Sequence, residues 1–143
     1  PSMTGEVFNR DFEDESTING WGENVERRNA QEGENHYLVL ANKSGGFAQA
    51  SLDRAYVPGN YTLTYKIKGN ASDSISQVFQ YFNDNQNIYE SVVGSQSVVF
   101  GTDGWTIVTL NFEVTRGCNR LLFDYSDFSG EIYIDDLRLV KND

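Results

Sequence analysis

Acidic residues stand near both ends of the chain, where they could bind a metal ion. Asp11 lies in the segment NRDFED at positions 9–14, and Asp135 and Asp136 interrupt a late run that is otherwise apolar at alternate positions. An inward-pointing carboxylate is costly unless it is paired or metal-bound, and carboxylate and carbonyl oxygens suit calcium. If the first and last strands pair, the two acidic groups meet. The alternative is that they are solvated surface acids.

Aromatic and amide side chains form a second group with a recognisable chemistry. Sugars present apolar C–H faces and a rim of hydroxyls, and aromatic planes flanked by amides and carboxylates complement both. The alternative is that most of the rings belong to the core. The candidates are the aromatic residues Phe47, Phe79, Tyr81, Tyr89, Tyr125 and Phe128 and the polar residues Gln49, Gln77, Gln80, Asn83, Asn85 and Asp124.

Nucleophilic and zinc-dependent catalysis lack the residues that they usually require. The chain has one histidine, His36, and one cysteine, Cys118, which is too few for a zinc site built from such ligands. No G-x-S-x-G elbow, phosphate-binding loop or G-x-G-x-x-G motif occurs. A carboxylate pair for glycoside hydrolysis is compatible with the 21 acids, but the short loops do not favour a deep cleft. We therefore predict that the protein is not an enzyme.

Short segments with alternating apolar and polar residues must position these groups. Runs of period two, rich in Tyr, Phe, Val, Ile and Thr, predict β-strands, and helical periodicity is nearly absent. Turn residues separate the runs. This pattern predicts an all-β fold, an antiparallel sandwich of two sheets. The predicted strands cover residues 37–40, 46–52, 61–68, 75–82, 88–93, 105–114, 121–125 and 132–140.

Length and charge limit the partners and the number of domains. The 143 residues suffice for one domain, which we place at residues 7–143, with residues 1–6 as a linker or a cloning remnant. Eleven Lys and Arg against 21 Asp and Glu give a net charge of −10. This charge disfavours nucleic acid and anionic lipid as partners, and no apolar stretch is long enough for a membrane span.

A series of short segments resembles a known family. NRDFEDES and GWG come first, SGGFAQASL and PGNYTLTYKIKG follow, and DGWTIVTLNFEV and IYIDDLRLV close the series. In this order, over residues 7–140, they resemble the carbohydrate-binding modules of families 4, 9 and 22. The resemblance implies a β-jelly-roll of two antiparallel sheets, with one concave binding face that forms an open cleft for a single polysaccharide chain.

The resemblance also implies a structural calcium ion remote from the cleft. The matching residues are Glu13 near the start and Asp135 near the end, with Asp11 and Asp136 as neighbours. Backbone oxygens would complete the coordination shell.

The same resemblance implies which residues contact the sugar. Phe47, at a position where a tryptophan is common, and Tyr89 match aromatic platforms of xylan-binding relatives, and Asp124 matches an acid that fixes hydroxyls. The predicted set is completed by the amides Gln49 and Gln80 and the aromatics Tyr81 and Tyr125. Trp21 and Trp105 match structural tryptophans, so we expect both in the core.

These observations predict a non-catalytic module that binds β-1,4-xylan and targets a parent xylanase in the same chain. We expect the parent to be secreted or attached to a bacterial cell surface. The lack of spare tryptophans favours xylan over crystalline cellulose. Mixed-linkage or β-1,3-glucan is an alternative ligand. A jelly roll that acts only as a spacer or binds a protein is the alternative from another class.

Overall fold

The fold is a sandwich of two antiparallel sheets, as the strand pattern predicts. The computed structural model describes residues 5–11, 21–23, 26–42, 48–92, 94–126 and 128–142. Within these ranges the chain forms strands and turns, and no helix long and apolar enough to cross a membrane is found there. The strands are β1 (Gly5–Arg10), β2 (Trp21–Glu23), β3 (Glu26–Glu32), β4 (Asn35–Asn42), β5 (Gln49–Tyr56), β6 (Gly59–Gly69), β7 (Asp73–Asn83), β8 (Ile88–Ser91), β9 (Gln96–Phe100), β10 (Thr106–Val114), β11 (Cys118–Asp124) and β12 (Gly130–Lys141).

Each sheet contains six of these strands. Sheet 1 has the order β10-β6-β12-β4-β3, and β1 pairs with β12 beside β4. Sheet 2 has the order β2-β5-β11-β7-β8, and β9 pairs with β7 beside β8. The predicted pairing of the first and last strands is confirmed, because Arg10 of β1 lies opposite Leu137 of β12.

The core lies between the two sheets and is rich in aromatic rings. Phe79 of sheet 2 is 0% exposed, and its ring centroid lies 5.4 Å from that of Tyr61 and 5.2 Å from that of Phe112, both in sheet 1. The hydroxyl of the buried Tyr65 donates to the Gln77 side-chain oxygen of the opposite sheet at 2.7 Å. Burial raises the pKa of Tyr65 well above its usual value. These rings join the two sheets.

The alternating strands place their apolar faces as predicted. In β6 the buried residues are those at alternate positions from Tyr61 to Ile67, and in β10 Val108, Phe112 and Val114 are buried. The prediction that Trp105 lies in the core is wrong, because Trp105 stands just before β10 and is only half-buried. Its ring packs edge-on against Tyr37, 5.4 Å between centroids, on the outer side of sheet 1. The side chain of Trp21 lies outside the described part of the chain.

Strands β1, β2, β3 and β9 are not among the predicted segments. The sequence of β3, ERRNAQE, contains one apolar residue. Among the strands that the structure describes it pairs with β4 alone, at the end of the strand order of sheet 1. An edge strand needs less apolar burial than a central strand, so periodicity does not reveal it.

Candidate functional site

The outer face of sheet 2 carries most of the described residues that the sequence predicts to bind a ligand. Along β5, β7 and β11 alternate side chains enter the core, such as Ala50, Phe79 and Leu121. The residues between them therefore face outward. The cross-strand register aligns these outward residues into rows that run across the strands.

One row joins an amide to a carboxylate. Asp124 of β11 lies opposite Gln49 of β5 and Ser76 of β7. The Gln49 amide donates to Asp124 Oδ2 at 3.1 Å, and the backbone N–H of Ser126 donates to Asp124 Oδ1 at 2.9 Å. Burial alone would raise the pKa of Asp124, but these hydrogen bonds outweigh it and hold the pKa below its usual value. The carboxylate is therefore ionised and oriented at neutral pH.

A second row, four residues away along β11, contains Arg120. The row consists of Asp53, Arg120, Gln80 and Ser91 in register. Arg120 Nε donates to the Gln80 side-chain oxygen at 2.8 Å, and the Gln80 amide donates to Ser91 Oγ at 3.2 Å. The two rows lie about 13 Å apart at ~3.3 Å per residue, which is more than the length of one sugar ring.

An aromatic pair stands at the end of this face. Tyr89 is 41% exposed, and its ring meets the ring of Phe82 edge-on with 5.1 Å between centroids. The Arg120 guanidinium lies over the Tyr89 ring, 3.4 Å from its centroid. The ring is thus both accessible and held in one orientation.

An apolar strip separates the two polar rows. Val78 and Leu122 lie opposite each other in the register, and Ser51 of β5 lies opposite Leu122 on its other side. Val78 and Leu122 are 7% and 5% exposed although they point outward. The face therefore combines polar side chains and an oriented ring, with two nearly covered apolar side chains between the rows.

The structure brings together four of the predicted ligand residues: Gln49, Gln80, Tyr89 and Asp124. Phe47 lies outside the described residues, so its placement stays a prediction. Tyr81 neighbours Gln80 and Phe82 on β7, so it points to the other side of sheet 2. There its hydroxyl donates to Glu90 at 2.5 Å, and Arg116 lies over its ring at 3.6 Å.

The prediction that Tyr125 contacts the sugar is not supported by its position in the fold. Tyr125 follows β11 and is 1% exposed, so its ring belongs to the core and has no surface for a ligand. Its backbone N–H donates to the carbonyl of Ala48 at 3.0 Å, which ties the segment after β11 to the start of β5. The sequence prediction was wrong here because a buried and an exposed tyrosine have the same local pattern at a strand end.

Sequence reasoning missed Arg120 and Phe82. Both share an outward face with a predicted residue: Arg120 and Asp124 are four apart on β11, and Phe82 and Gln80 are two apart on β7. Residues on one face of a strand recur at every second position, so counting in steps of two from Asp124 and from Gln80 would have identified both residues.

A polar pocket of about 340 Å³ lies at the turn between β7 and β8. Its lining includes Tyr81, Asn83 and Arg116. Hydrogen bonds from the Tyr81 hydroxyl and the Asn83 amide lower the pKa of Glu90 beside it. Tyr81 and Asn83 both bind Glu90, and Arg116 lies over the Tyr81 ring. These contacts hold the side chains at the end of sheet 2 in place.

Three of the predicted calcium residues, Asp11, Asp135 and Asp136, lie in the region where β1 meets β12. Asp135 is 3% exposed; its Oδ2 accepts from the Asn35 amide at 2.9 Å and its Oδ1 from the Asp136 backbone N–H at 2.9 Å. Asp136 stands at a bulge with φ of 51° and forms an ion pair with Lys66 at 3.0 Å. Asp11 directly follows β1 near this bulge.

A complete set of calcium ligands is not assembled by these residues alone. Across the described ranges no group of three or more His, Cys, Asp or Glu is close enough to hold a metal ion. Glu13 lies outside those ranges. The carboxylate oxygens of Asp135 are of the type that calcium takes, and both accept hydrogen bonds, from Asn35 and from the Asp136 backbone.

Comparison with known proteins establishes the fold. No family profile matches the sequence, and no curated protein matches it. Among solved structures, the family-22 carbohydrate-binding and GH10 modules of Clostridium thermocellum endo-1,4-β-D-xylanase 10B, complexed with xylohexaose, align with 97% of this chain at a TM-score of 0.75 and 14% identity. The aligned region is 29% of that longer chain.

Two single-module structures align over almost their whole lengths. The first family-22 xylan-binding domain of Paenibacillus barcinonensis Xyn10C has a TM-score of 0.74 and 15% identity, covering 99% of this chain and 97% of that one. The family-11 module of C. thermocellum, complexed with a β-1,3-1,4-mixed-linked tetrasaccharide, has a TM-score of 0.71 and 14% identity, with 98% of each chain covered. The protein therefore has the jelly-roll fold of these carbohydrate-binding modules.

Proposed function

We propose that the outer face of sheet 2 binds a single chain of a β-linked polysaccharide without cleaving it, and that β-1,4-xylan is the preferred ligand. The observation that carries the proposal is the combination on one face of an exposed, oriented ring at Tyr89 and an ordered amide–carboxylate pair at Gln49 and Asp124. This combination matches a sugar chain, which is apolar on its faces and polar at its edges.

Each part of the face has a distinct task. Tyr89 offers a ring on which the C–H face of a sugar packs, and burial of apolar surface stabilises that contact. Asp124 accepts hydrogen bonds from sugar hydroxyls, and the hydrogen bond from Gln49 holds its carboxylate in place. Phe47, as a second platform close to Gln49 in the chain, remains part of the proposal.

Xylan is proposed as the first ligand and mixed-linkage glucan as the second. Structures with this fold include modules solved with xylohexaose and with a β-1,3-1,4-linked tetrasaccharide, so the fold supports both. We propose that the chain is part of a longer, secreted polysaccharide-degrading protein such as a xylanase. The occurrence of a family-22 module and a GH10 module in one solved chain supports this arrangement.

We also propose a structural calcium ion where β1 meets β12, with Asp135 as a ligand. The buried Asp135 carboxylate supports the proposal. Asp11 and Glu13 are the candidates from the start of the chain. A bound ion would neutralise Asp135 and hold the first strand against the last.

Calorimetric titration against soluble xylan, mixed-linkage glucan and β-1,3-glucan tests the proposed function. We expect binding to xylan, and a loss of about tenfold or more in affinity for Asp124→Ala, because a charge-assisted hydrogen bond is lost. Glu113→Ala is the matched control, since Glu113 is an exposed acid on β10 of sheet 1. Absence of binding to all three polymers would favour a spacer or a protein-binding module.

A further inference from the structure

On the outer face of sheet 2, Arg120 is held in place by an amide and an aromatic ring. It forms no ion pair with a carboxylate of the described residues. Its Nε–H is bonded to Gln80 and its guanidinium plane lies on the Tyr89 ring. These two contacts fix both the direction and the plane of the guanidinium. The N–H groups of its two terminal nitrogens make no hydrogen bond to the described part of the chain.

The nearest acid in the row does not neutralise Arg120. Asp53 lies opposite Arg120 in the register, but its Oδ1 accepts from Ser51 Oγ at 2.8 Å, and it forms no ion pair with the guanidinium. Asp124 is four residues away along β11 and is bonded to Gln49 and Ser126. Burial lowers the pKa of Arg120, opposed by the charge of Asp53, and an arginine remains protonated at neutral pH.

We propose that Arg120 binds a carboxylate on the polysaccharide, so that the ligand of this face is a xylan with uronic-acid side groups. The inference rests on the proposed function and names the ligand class for the same site. Two terminal nitrogens of a flat guanidinium match the two oxygens of a carboxylate in a bidentate contact. The side group would lie over the Arg120 row while the main chain contacts Tyr89 and Asp124.

The overall charge of the chain cannot supply this preference. A net charge of −10 repels a polyanion at long range, and Asp53 and Asp124 are acids on the same face. A preference for a carboxylated polymer would therefore have to come from a specific local contact, and Arg120 is placed to make it.

The test compares a glucuronate-substituted xylan with the same polymer after chemical reduction of its carboxyl groups. Calorimetry should show that the protein binds the native polymer about tenfold more tightly than the reduced one. Arg120→Gln should remove that difference, so that the variant binds the two polymers with equal affinity. Arg120→Lys should recover part of the difference, because the charge returns without the bidentate geometry.

The matched control is Arg138→Gln, which removes an exposed arginine from β12 of sheet 1, where it pairs with Glu6. Its preference should equal that of the unchanged protein. Equal affinity of the unchanged protein for the two polymers would overturn the proposal for Arg120 and leave the proposed function intact. A preference that survives Arg120→Gln would overturn it as well. Absence of binding to both polymers and to unsubstituted xylohexaose would overturn the proposed function itself.

Discussion

The outer faces of the two sheets carry similar residue types but organise their charges differently. On sheet 1, Lys66, Lys68 and Arg138 each form an ion pair, with Asp136, Glu32 and Glu6 at 3.0, 3.2 and 3.0 Å. On sheet 2, Arg120 is bonded to an amide and a ring instead. A cation that is paired with a carboxylate of the same sheet stabilises the folded protein. A cation that is held by neutral groups keeps its charge available for a ligand.

The aromatic residues of the two faces differ in the same way. On sheet 1, Tyr37 packs edge-on against both Trp105 and Tyr133, and Lys68 lies over the Trp105 ring at 4.8 Å. These three rings are half-buried against one another. On sheet 2, Tyr89 is 41% exposed. A ring that is accessible and held by neighbours loses little conformational freedom when a sugar binds to it.

The largest expected effect is on stability, and it distinguishes a core residue from the residues on the outer face of sheet 2. Tyr125→Ala should reduce the free energy of unfolding by about 3 kcal/mol or more, because it leaves a cavity among buried side chains. Xylan affinity of the folded protein should be unchanged. Urea denaturation and calorimetry measure the two quantities, with Tyr125→Phe as the control that keeps the ring. A loss of affinity at unchanged stability would return Tyr125 to the site.

Removal of calcium should affect the junction of β1 and β12 but not the face of sheet 2. A ligand present at about 100 times its dissociation constant stabilises the native state by ~2.7 kcal/mol, so a chelator should lower the melting temperature by several degrees. Xylan binding at lower temperature should persist. In Asp135→Asn the response to chelator should be smaller. Identical melting curves of the unchanged protein with and without chelator would contradict the calcium proposal.

Paired substitutions compare the two outer faces directly. Tyr89→Ala should weaken xylan binding about tenfold, which corresponds to ~1.4 kcal/mol, with a smaller change in melting temperature than a core substitution because Tyr89 is 41% exposed. Tyr133→Ala, in the aromatic cluster of sheet 1, should leave affinity unchanged. Calorimetry and thermal melting of both variants provide the comparison. Loss of affinity in Tyr133→Ala alone would place the ligand on sheet 1.

The smallest expected effect concerns pH. The pKa of Asp124 is lowered in the folded protein, while an unperturbed aspartate has a pKa of about 3.9. The stability contributed by ionised Asp124 is thus present above pH ~3.9 and lost as the pH falls through the lower folded value. Xylan affinity should be constant from pH 7 to 5 if Asp124 stays ionised. Titrations across this range, with Asp124→Asn as control, test this; a fall in affinity centred above pH 5 that the control lacks would contradict it.

Much of the fold could be predicted from the sequence, because periodicity reports burial directly. The alternation from Tyr61 to Ile67 identified the core side of β6. The two-sheet sandwich predicted from the strand pattern made pairing of the first and last strands a natural expectation, and β1 pairs with β12. The polar edge strand β3 could not be predicted in this way. Its stability comes from hydrogen bonds to β4 rather than from its own apolar side chains.

For the candidate site, the sequence determined which residue types were available, and the tertiary structure decided which of them share a surface. Gln49, Gln80, Tyr89 and Asp124 come from four strands, and only the register of sheet 2 places them on one face. The same register put Arg120 beside Gln80 and turned Tyr81 to the opposite side. Side chains in a sheet alternate with a period of two, so each residue's face follows from its strand, whereas its neighbours follow from pairings between segments distant in the chain.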